Sequence, residues 1–322
     1  MGKKLLLLVL FIISGFQNSH SLLFGAENAP LPEAVEQWIV PAEKILILGD
    51  SITYSGKYVV DWETWLNTQP LAKRPFIVSC GLPSETVSCL SEQGHAGGKF
   101  PRPCLHERLD RVLEYIKPDL VFACYGMNCG IYKPLSKERF ENYKTGIRTL
   151  KQKVEATGAK LILLTPPFYD EMTATSDVPY ETVLKTYSQW LVSQRANGWN
   201  VIDLHSLMVR EIEQKRKTDP DFTVQKDAVH PNAEGHWMMA RAMIQWFDPQ
   251  ASLSDDHAQW LETTGQVEQI KLIQKRMGLL KLSYLTATKH IRPGIPDGIP
   301  VTEAHQQAGL LTEQIEQLSE KH

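Results

Sequence analysis

Five short runs of almost unbroken apolar character punctuate the middle of the chain: Lys44–Leu48 (KILIL), Pro75–Ser79 (PFIVS), Asp119–Tyr125 (DLVFACY), Lys160–Thr165 (KLILLT) and Asn200–Leu204 (NVIDL). Strands covered on both faces lose the in-and-out alternation of a half-exposed sheet and read in this way. The stretches between them are longer and helical in period. Between the third and fourth runs, Phe140, Tyr143, Ile147, Leu150 and Val154 recur at three- and four-residue steps, laying one apolar stripe along a helix of about five turns. Gly158 then closes it. Strands alternating with helices predict an α/β fold, a three-layer α/β/α sandwich around a parallel sheet of about five strands.

The two ends depart from this rhythm. Met1-Gly2-Lys3-Lys4 is followed by nine apolar residues, Leu5 to Ile13, and then by small and polar residues through Ser21 and Ala26. That order is the pattern of a signal peptide, with cleavage after Ser21 or near Gly25 or Ala26; an uncleaved N-terminal anchor is the alternative. The run is shorter than the roughly 20 residues that span a bilayer. Expected organisation is thus a signal peptide over 1–26, a main domain over 27–250 and a helical extension over 251–322. In the extension a Pro- and Gly-rich segment, Arg292 to Pro300, interrupts Gln-, Glu- and Lys-rich helix. Ala304, Ala308, Leu311, Ile315 and Leu318 then form a last apolar stripe. Packing against the main domain, an oligomer contact or a cap over the site would each cover it.

Composition narrows the function classes. With 43% hydrophobic and 22% charged residues, the chain is neither disordered nor fibrous. Lys and Arg total 34 against 37 Asp and Glu, and no basic stretch interleaves with aromatics, which argues against nucleic acid as a partner. Five cysteines, Cys80, Cys89, Cys104, Cys124 and Cys129, leave at least one thiol free; Cys89 and Cys104, flanking a Gly- and Pro-containing loop, are the pair singled out for a disulfide. Neither CxxC nor His-rich spacing is present to suggest a zinc site, and no cofactor is expected.

The chemistry-bearing residues sit at strand ends. The first run ends in Gly49-Asp50-Ser51, where parallel sheets present ligand sites; taken alone, the tripeptide reads more simply as a helix cap. Asp227-Ala228-Val229-His230 precedes a strongly amphipathic helix containing Trp237, Met238 and Phe247. Two residues between Asp and His let the carboxylate fold back on the imidazole and fix its tautomer. Gly81 follows the second run and Asn128, within Tyr125-Gly126-Met127-Asn128-Cys129, follows the third.

In that order these four blocks resemble the SGNH subgroup of GDSL hydrolases, over roughly residues 44 to 247. The resemblance implies a flavodoxin-like sheet and a serine esterase. Ser51 would be the nucleophile, His230 the general base and then acid, and Asp227 its orienting partner. The Ser51 and Gly81 amides and the Asn128 side chain would form the oxyanion hole. One position departs: Cys129 stands where the family usually has Asp, so the asparagine loop must be held in another way or be less well ordered. The expected substrate is a small-molecule or polysaccharide ester, with removal of acetyl groups from carbohydrate favoured over a lipid ester or thioester, and a non-catalytic carbohydrate-binding protein as the rival. The protein is expected to be secreted or periplasmic.

The long segment from Ser84 to Pro103, with Glu85, Glu92, His95, Gly97-Gly98 and Arg102, leaves the second strand toward the expected site. Arg102 suits a substrate carboxylate or, more simply, a salt bridge. Tyr58, Trp62 and Trp65 fall at helical spacing and read as core. His205 and His236 have no evident partner in the sequence.

Overall fold

The computed structural model describes residues 30–319; the expected signal peptide lies outside these residues. The elements run in chain order as α1 (Glu33–Trp38), β1 (Lys44–Gly49), α2 (Ser51–Ser55), α3 (Lys57–Leu66), β2 (Phe76–Ser79), α4 (Leu105–Ile116), β3 (Leu120–Cys124) and α5 (Lys137–Ala156). They continue as β4 (Lys160–Leu164), α6 (Tyr180–Ser193), β5 (Asn200–Ile202), α7 (Leu204–Arg216), α8 (Ala233–Phe247), α9 (His257–Thr264), α10 (Val267–Ala287) and α11 (Val301–Ser319). All five apolar runs are strands, and all neighbours in the sheet, ordered β2-β1-β3-β4-β5, are parallel.

Ile45 to Leu48 and Val121 to Phe122 are wholly inaccessible, which is the physical reason their sequences show no alternation. The chain leaves β1 toward β2 but then crosses back to β3, β4 and β5. Right-handed crossovers in opposite directions put the connecting helices on opposite faces. On one face α3 packs against α8, which also meets α1 and α7. On the other, α4 packs on α5, and Tyr143 of α5 stacks on Tyr187 of α6 at 4.1 Å between ring centroids. The reversal opens a crevice at the C-terminal ends of β1 and β3, where such sheets bind ligands.

In the extension, α10 lies on α3 and β2, and α11 lies along α10. Ala304, Ala308, Leu311 and Ile315 are buried, and His305 stacks on Phe76 of β2 at 4.8 Å. The stripe of α11 is therefore covered within the chain. From α10, Met277 packs under Gly56 and the Lys281 ammonium donates to the Tyr54 carbonyl while lying 4.0 Å from the Tyr54 ring. Burial pulls the Lys281 pKa down to about 8. No helix among the described residues is long and apolar enough to cross a membrane.

Candidate active site

Gly49 ends β1 where a side chain has no room: a Cβ there would meet Thr53 Oγ1 at 2.1 Å and the Cys124 carbonyl at 2.9 Å. Asp50 then caps α2, its Oδ1 accepting the Ile52 amide at 3.0 Å. This turns Ser51 into the first residue of α2, with an amide that has no partner within the helix. Burial pushes the Asp50 carboxyl up to about 6, against the opposing pull of the Ile52 amide and the nearby His230.

The Asp227–His230 loop, between α7 and α8, comes from the other end of the domain's sequence to the same edge of the sheet. Ser51 Oγ lies 2.9 Å from His230 Nε2, and His230 Nδ1 lies 2.7 Å from Asp227 Oδ2. Asp227 Oδ1 also accepts the His230 and Val229 amides at 2.8 and 3.1 Å. Partial burial raises the Asp227 carboxyl, but these amides and the imidazole outweigh it and hold it below the usual range. Between them Ala228 takes a left-handed φ of 67°, a conformation that costs energy in a residue with a Cβ and that folds the carboxylate back onto the ring. The loop is fastened from behind. Buried Asp170 binds Arg216 through both oxygens and Thr223 at 2.6 Å, and Gln225 Nε2 donates to the carbonyls of Phe168 and Val229.

Gly81 and Asn128 face the same region. The amides of Cys80 and Leu82 are used on the carbonyls of Ile47 and Gly49, which leaves the Gly81 amide on the other side of the chain outside that ladder. A Cβ on Gly81 would lie 2.4 Å from the Tyr54 amide nitrogen, so only glycine permits this approach. Asn128 Oδ1 accepts from Arg102 Nη1 at 2.8 Å and Tyr132 Oη at 3.1 Å. Two donors on one atom identify it as the oxygen, so the amide NH2 points away from them, with one N–H 3.4 Å from the Glu85 carbonyl. Ser51, His230, Asn128, Arg102, His95 and Arg292 line one open cavity of about 350 Å³. Two larger cavities, of about 580 and 560 Å³, lie away from this relay.

The loop carrying Asn128 needs no aspartate at position 129. Cys129 is a buried free thiol, pushed up to about 12 by burial, with its carbonyl accepting from Ser88 Oγ at 3.0 Å. Tyr180 Oη accepts the Gly130 amide and donates to the Met127 carbonyl. With Arg102 and Tyr132 on Asn128 itself, the loop is tied on both flanks.

Glu85 belongs to the scaffold rather than the cavity. It is fully buried, paired through both oxygens with Arg108, and accepts from Tyr125 Oη at 2.6 Å. Burial lowers the Arg108 pKa and the Glu85 charge more than restores it, so the guanidinium stays charged. Arg108 Nη2 also donates to the Cys80 carbonyl, next to Gly81. Glu92 grips Arg102 through Nε and Nη2, both at 2.7 Å, which is the salt bridge rather than a free carboxylate clamp. Gly97 and Gly98 are exposed at the loop tip, and a Cys89–Cys104 disulfide joins the ends of the segment. Tyr58, Trp62 and Trp65 are core. His205 does have a partner: Nε2 lies 2.9 Å from Glu181 Oε1, at angles outside a good hydrogen bond. His236 is buried against Tyr58, and burial pulls its pKa to about 3. Among the described residues no group of three or more His, Cys, Asp or Glu is placed to hold a metal ion.

Sequence reasoning missed Arg108, Asp170, Arg216, Gln225 and Arg292. None repeats with a period or lies in a recognisable block; Arg108, Asp170, Arg216 and Gln225 act through partners distant in the chain, and Arg292 comes to the site from the far end of the chain.

The sequence profile of the GDSL-like lipase/acylhydrolase family matches residues 47–238. No curated protein is similar enough in sequence to register as a match. Among solved structures, a tryptophan variant of Axe2, an acetyl xylan esterase from Geobacillus stearothermophilus, is 20% identical with a TM-score of 0.50, covering 66% of this chain and 97% of its own. Unaltered Axe2 is 20% identical with a TM-score of 0.47, covering 64% and 94%. BT4096, described as a gut microbial diltiazem-metabolizing enzyme, is 21% identical with a TM-score of 0.46, covering 63% of this chain and 46% of its own. At such identity the likeness is one of fold.

Proposed function

The chain belongs to the GDSL-like lipase/acylhydrolase family and is an ester-bond hydrolase, and from that premise we propose that it works as a serine esterase through Ser51, His230 and Asp227. The observation that carries the reading is the unbroken relay of 2.9 and 2.7 Å from Ser51 Oγ through His230 to Asp227 at the edge of the cavity.

Ser51 Oγ attacks the acyl carbon while His230 Nε2 takes its proton, and Asp227 keeps Nδ1 protonated and supports the imidazolium. The oxyanion meets the Ser51 and Gly81 amides and the free N–H of Asn128. His230 then protonates the departing alcohol, and water activated by the same nitrogen releases the acid from the acyl-enzyme. A fluorophosphonate is expected to label one residue, Ser51, and abolish p-nitrophenyl acetate hydrolysis, with EDTA without effect; peptide mapping to another residue, or activity persisting after full labelling, would overturn the assignment.

Arg102 is a positioning residue in this scheme, because it holds the Asn128 oxygen and so aims the amide. Arg102→Met is expected to lower kcat about 10-fold or more with little change in KM, a fraction of the roughly 100- to 1,000-fold cost of losing an oxyanion donor. In an Asn128→Ala background the same change should cost almost nothing further, a non-additivity that a merely structural arginine would not produce.

Export and a small acyl group on carbohydrate complete the proposal. The Lys3-Lys4 and Leu5–Ile13 pattern supports the first. The open cavity, most of whose lining residues are polar, supports the second, as does the printed description of the Axe2 variant whose TM-score is 0.50. Rates on acetylated xylan or pectin no better than on a long-chain ester would remove the carbohydrate part.

A further inference from the structure

One wall of the cavity in front of Ser51 and His230 comes from the C-terminal extension. Arg292, in the loop between α10 and α11, lines it beside His95 and Arg102. The two guanidiniums differ in what they have left to bind. Each of the three guanidinium nitrogens of Arg102 has a partner, Nε and Nη2 on Glu92 and Nη1 on Asn128, and its charge is paired with Glu92. Arg292 makes no ion pair among the described residues. Its backbone amide donates to His290 Nδ1 and its Nη1 to the adjacent Pro293 carbonyl, while Nε is buried with no hydrogen-bond partner.

The guanidinium is held in place on this wall. It lies 5.0 Å over the Phe100 ring, which packs edge-on to His95 at 5.4 Å. His95 Nε2 is also buried without a partner, its Nδ1 facing Glu92 at 3.3 Å. Arg111 donates to the Thr288 and Lys289 carbonyls at the start of the loop. At its far side the Gly298 amide donates to Thr286 Oγ1 at 2.8 Å, and a Cβ on Gly298 would strike the Ser283 amide nitrogen at 2.2 Å. Three prolines, Pro293, Pro296 and Pro300, stiffen what lies between. Of the carboxylates near the cavity, Glu92 is matched to Arg102, Glu85 to Arg108 and Asp227 to His230, and buried Asp50 is turned to the Ile52 amide; Asp297, farther along the loop, makes no ion pair with Arg292. A permanent cation without a counter-ion, presented from a braced loop beside a nucleophile, is a ready receptor for an anion, and the planar fork of a guanidinium suits a carboxylate.

We infer that Arg292 selects substrate, and that the preferred substrates are esters carrying a free carboxylate. The inference rests on the serine-esterase reading above. The carboxylate belongs either to the acyl group or to the alcohol, and two matched pairs of esters separate these sources: mono-p-nitrophenyl glutarate against p-nitrophenyl pentanoate, and O-acetyl galacturonic acid against its carboxyl methyl ester.

The readout is the ratio of kcat/KM within each pair, so that any general loss of activity in a variant cancels. In the wild type the anionic member of one pair is expected to be favoured about 10- to 100-fold, as one charge-assisted contact permits. That preference should fall to about one in Arg292→Gln, survive in part in Arg292→Lys, reverse in Arg292→Glu and weaken with added salt. Ser51-dependent hydrolysis with a ratio near one in both pairs overturns the inference alone. So does a preference that persists in Arg292→Gln and Arg292→Glu. Hydrolysis that survives Ser51→Ala overturns the reading beneath it and the inference with it.

Discussion

Ser51→Ala is expected to lower kcat for p-nitrophenyl acetate by roughly four to six orders of magnitude, with KM changed little. The argument is geometric. Ser51 Oγ is the atom that meets His230 Nε2 at 2.9 Å, and alanine removes the nucleophile while leaving Asp50, the α2 amides and the cavity as they are. His230→Ala should cost a comparable amount, because an alcohol without its base is a poor nucleophile at neutral pH. The double variant should be no slower than either single one, since parts of one relay fail together. Residual turnover then reports what the Gly81 and Asn128 donors achieve with water alone. A folded Ser51→Ala protein keeping more than about 1% of the wild-type rate would contradict that scale and end the serine mechanism. Circular dichroism and the thermal midpoint establish that it is folded.

The second large effect is on stability. Glu85→Ala is expected to destabilise the fold by about 3–5 kcal/mol, because it strands the charge of Arg108 in the interior. Glu85 and Arg108 are 0% and 1% exposed and share two hydrogen bonds of 2.7 and 2.8 Å. For a chain of this size the loss corresponds to a thermal midpoint lower by roughly 4–8 °C. Glu85→Leu combined with Arg108→Met should be much milder than the sum of the two single changes, since it leaves no unpaired charge. Urea unfolding of the three variants measures this. Equal, additive losses would mean that the pair is not the anchor inferred from its burial. Variants that remain folded should also turn over more slowly, because the Glu85 carbonyl meets the Asn128 amide and Arg108 holds the Cys80 carbonyl beside Gly81.

How much of this was legible in the sequence follows from how far each signal travels along the chain. The five strands were readable because burial on both faces writes itself locally, as continuous apolar runs such as KILIL. The α5 stripe was readable for the same local reason: Tyr143, Ile147, Leu150 and Val154 are buried, together with Gly146. Ser51, Gly81, Asn128, Asp227 and His230 stood out because each ends a strand or opens a helix in a recognisable block, and the fold brings all five to one edge of the sheet. The polar supports left no such trace. Asp170 and Arg216 are 46 residues apart, and Arg102 and Asn128 are 26 apart; nothing in the type of either residue names its partner. Glu85 begins a loop leaving β2 toward the site, but a buried arginine from α4 captures it. His205 appeared solitary because Glu181 approaches it only through the packing of α6 beside β5.

The contacts of α10 with the turn after Ser51 also impose an order in time. Lys281 and Met277, which hold Tyr54 and Gly56 from below, are made more than 220 residues after the serine they support. A chain emerging N-terminus first would therefore complete its sheet while the nucleophile turn still lacked its last brace, and long-range closures of this kind are slow steps in folding. Catalytic competence would be among the last properties acquired, arriving with the C-terminal helices. A chain cut short after α8 would be a nearly finished scaffold around an unsupported serine.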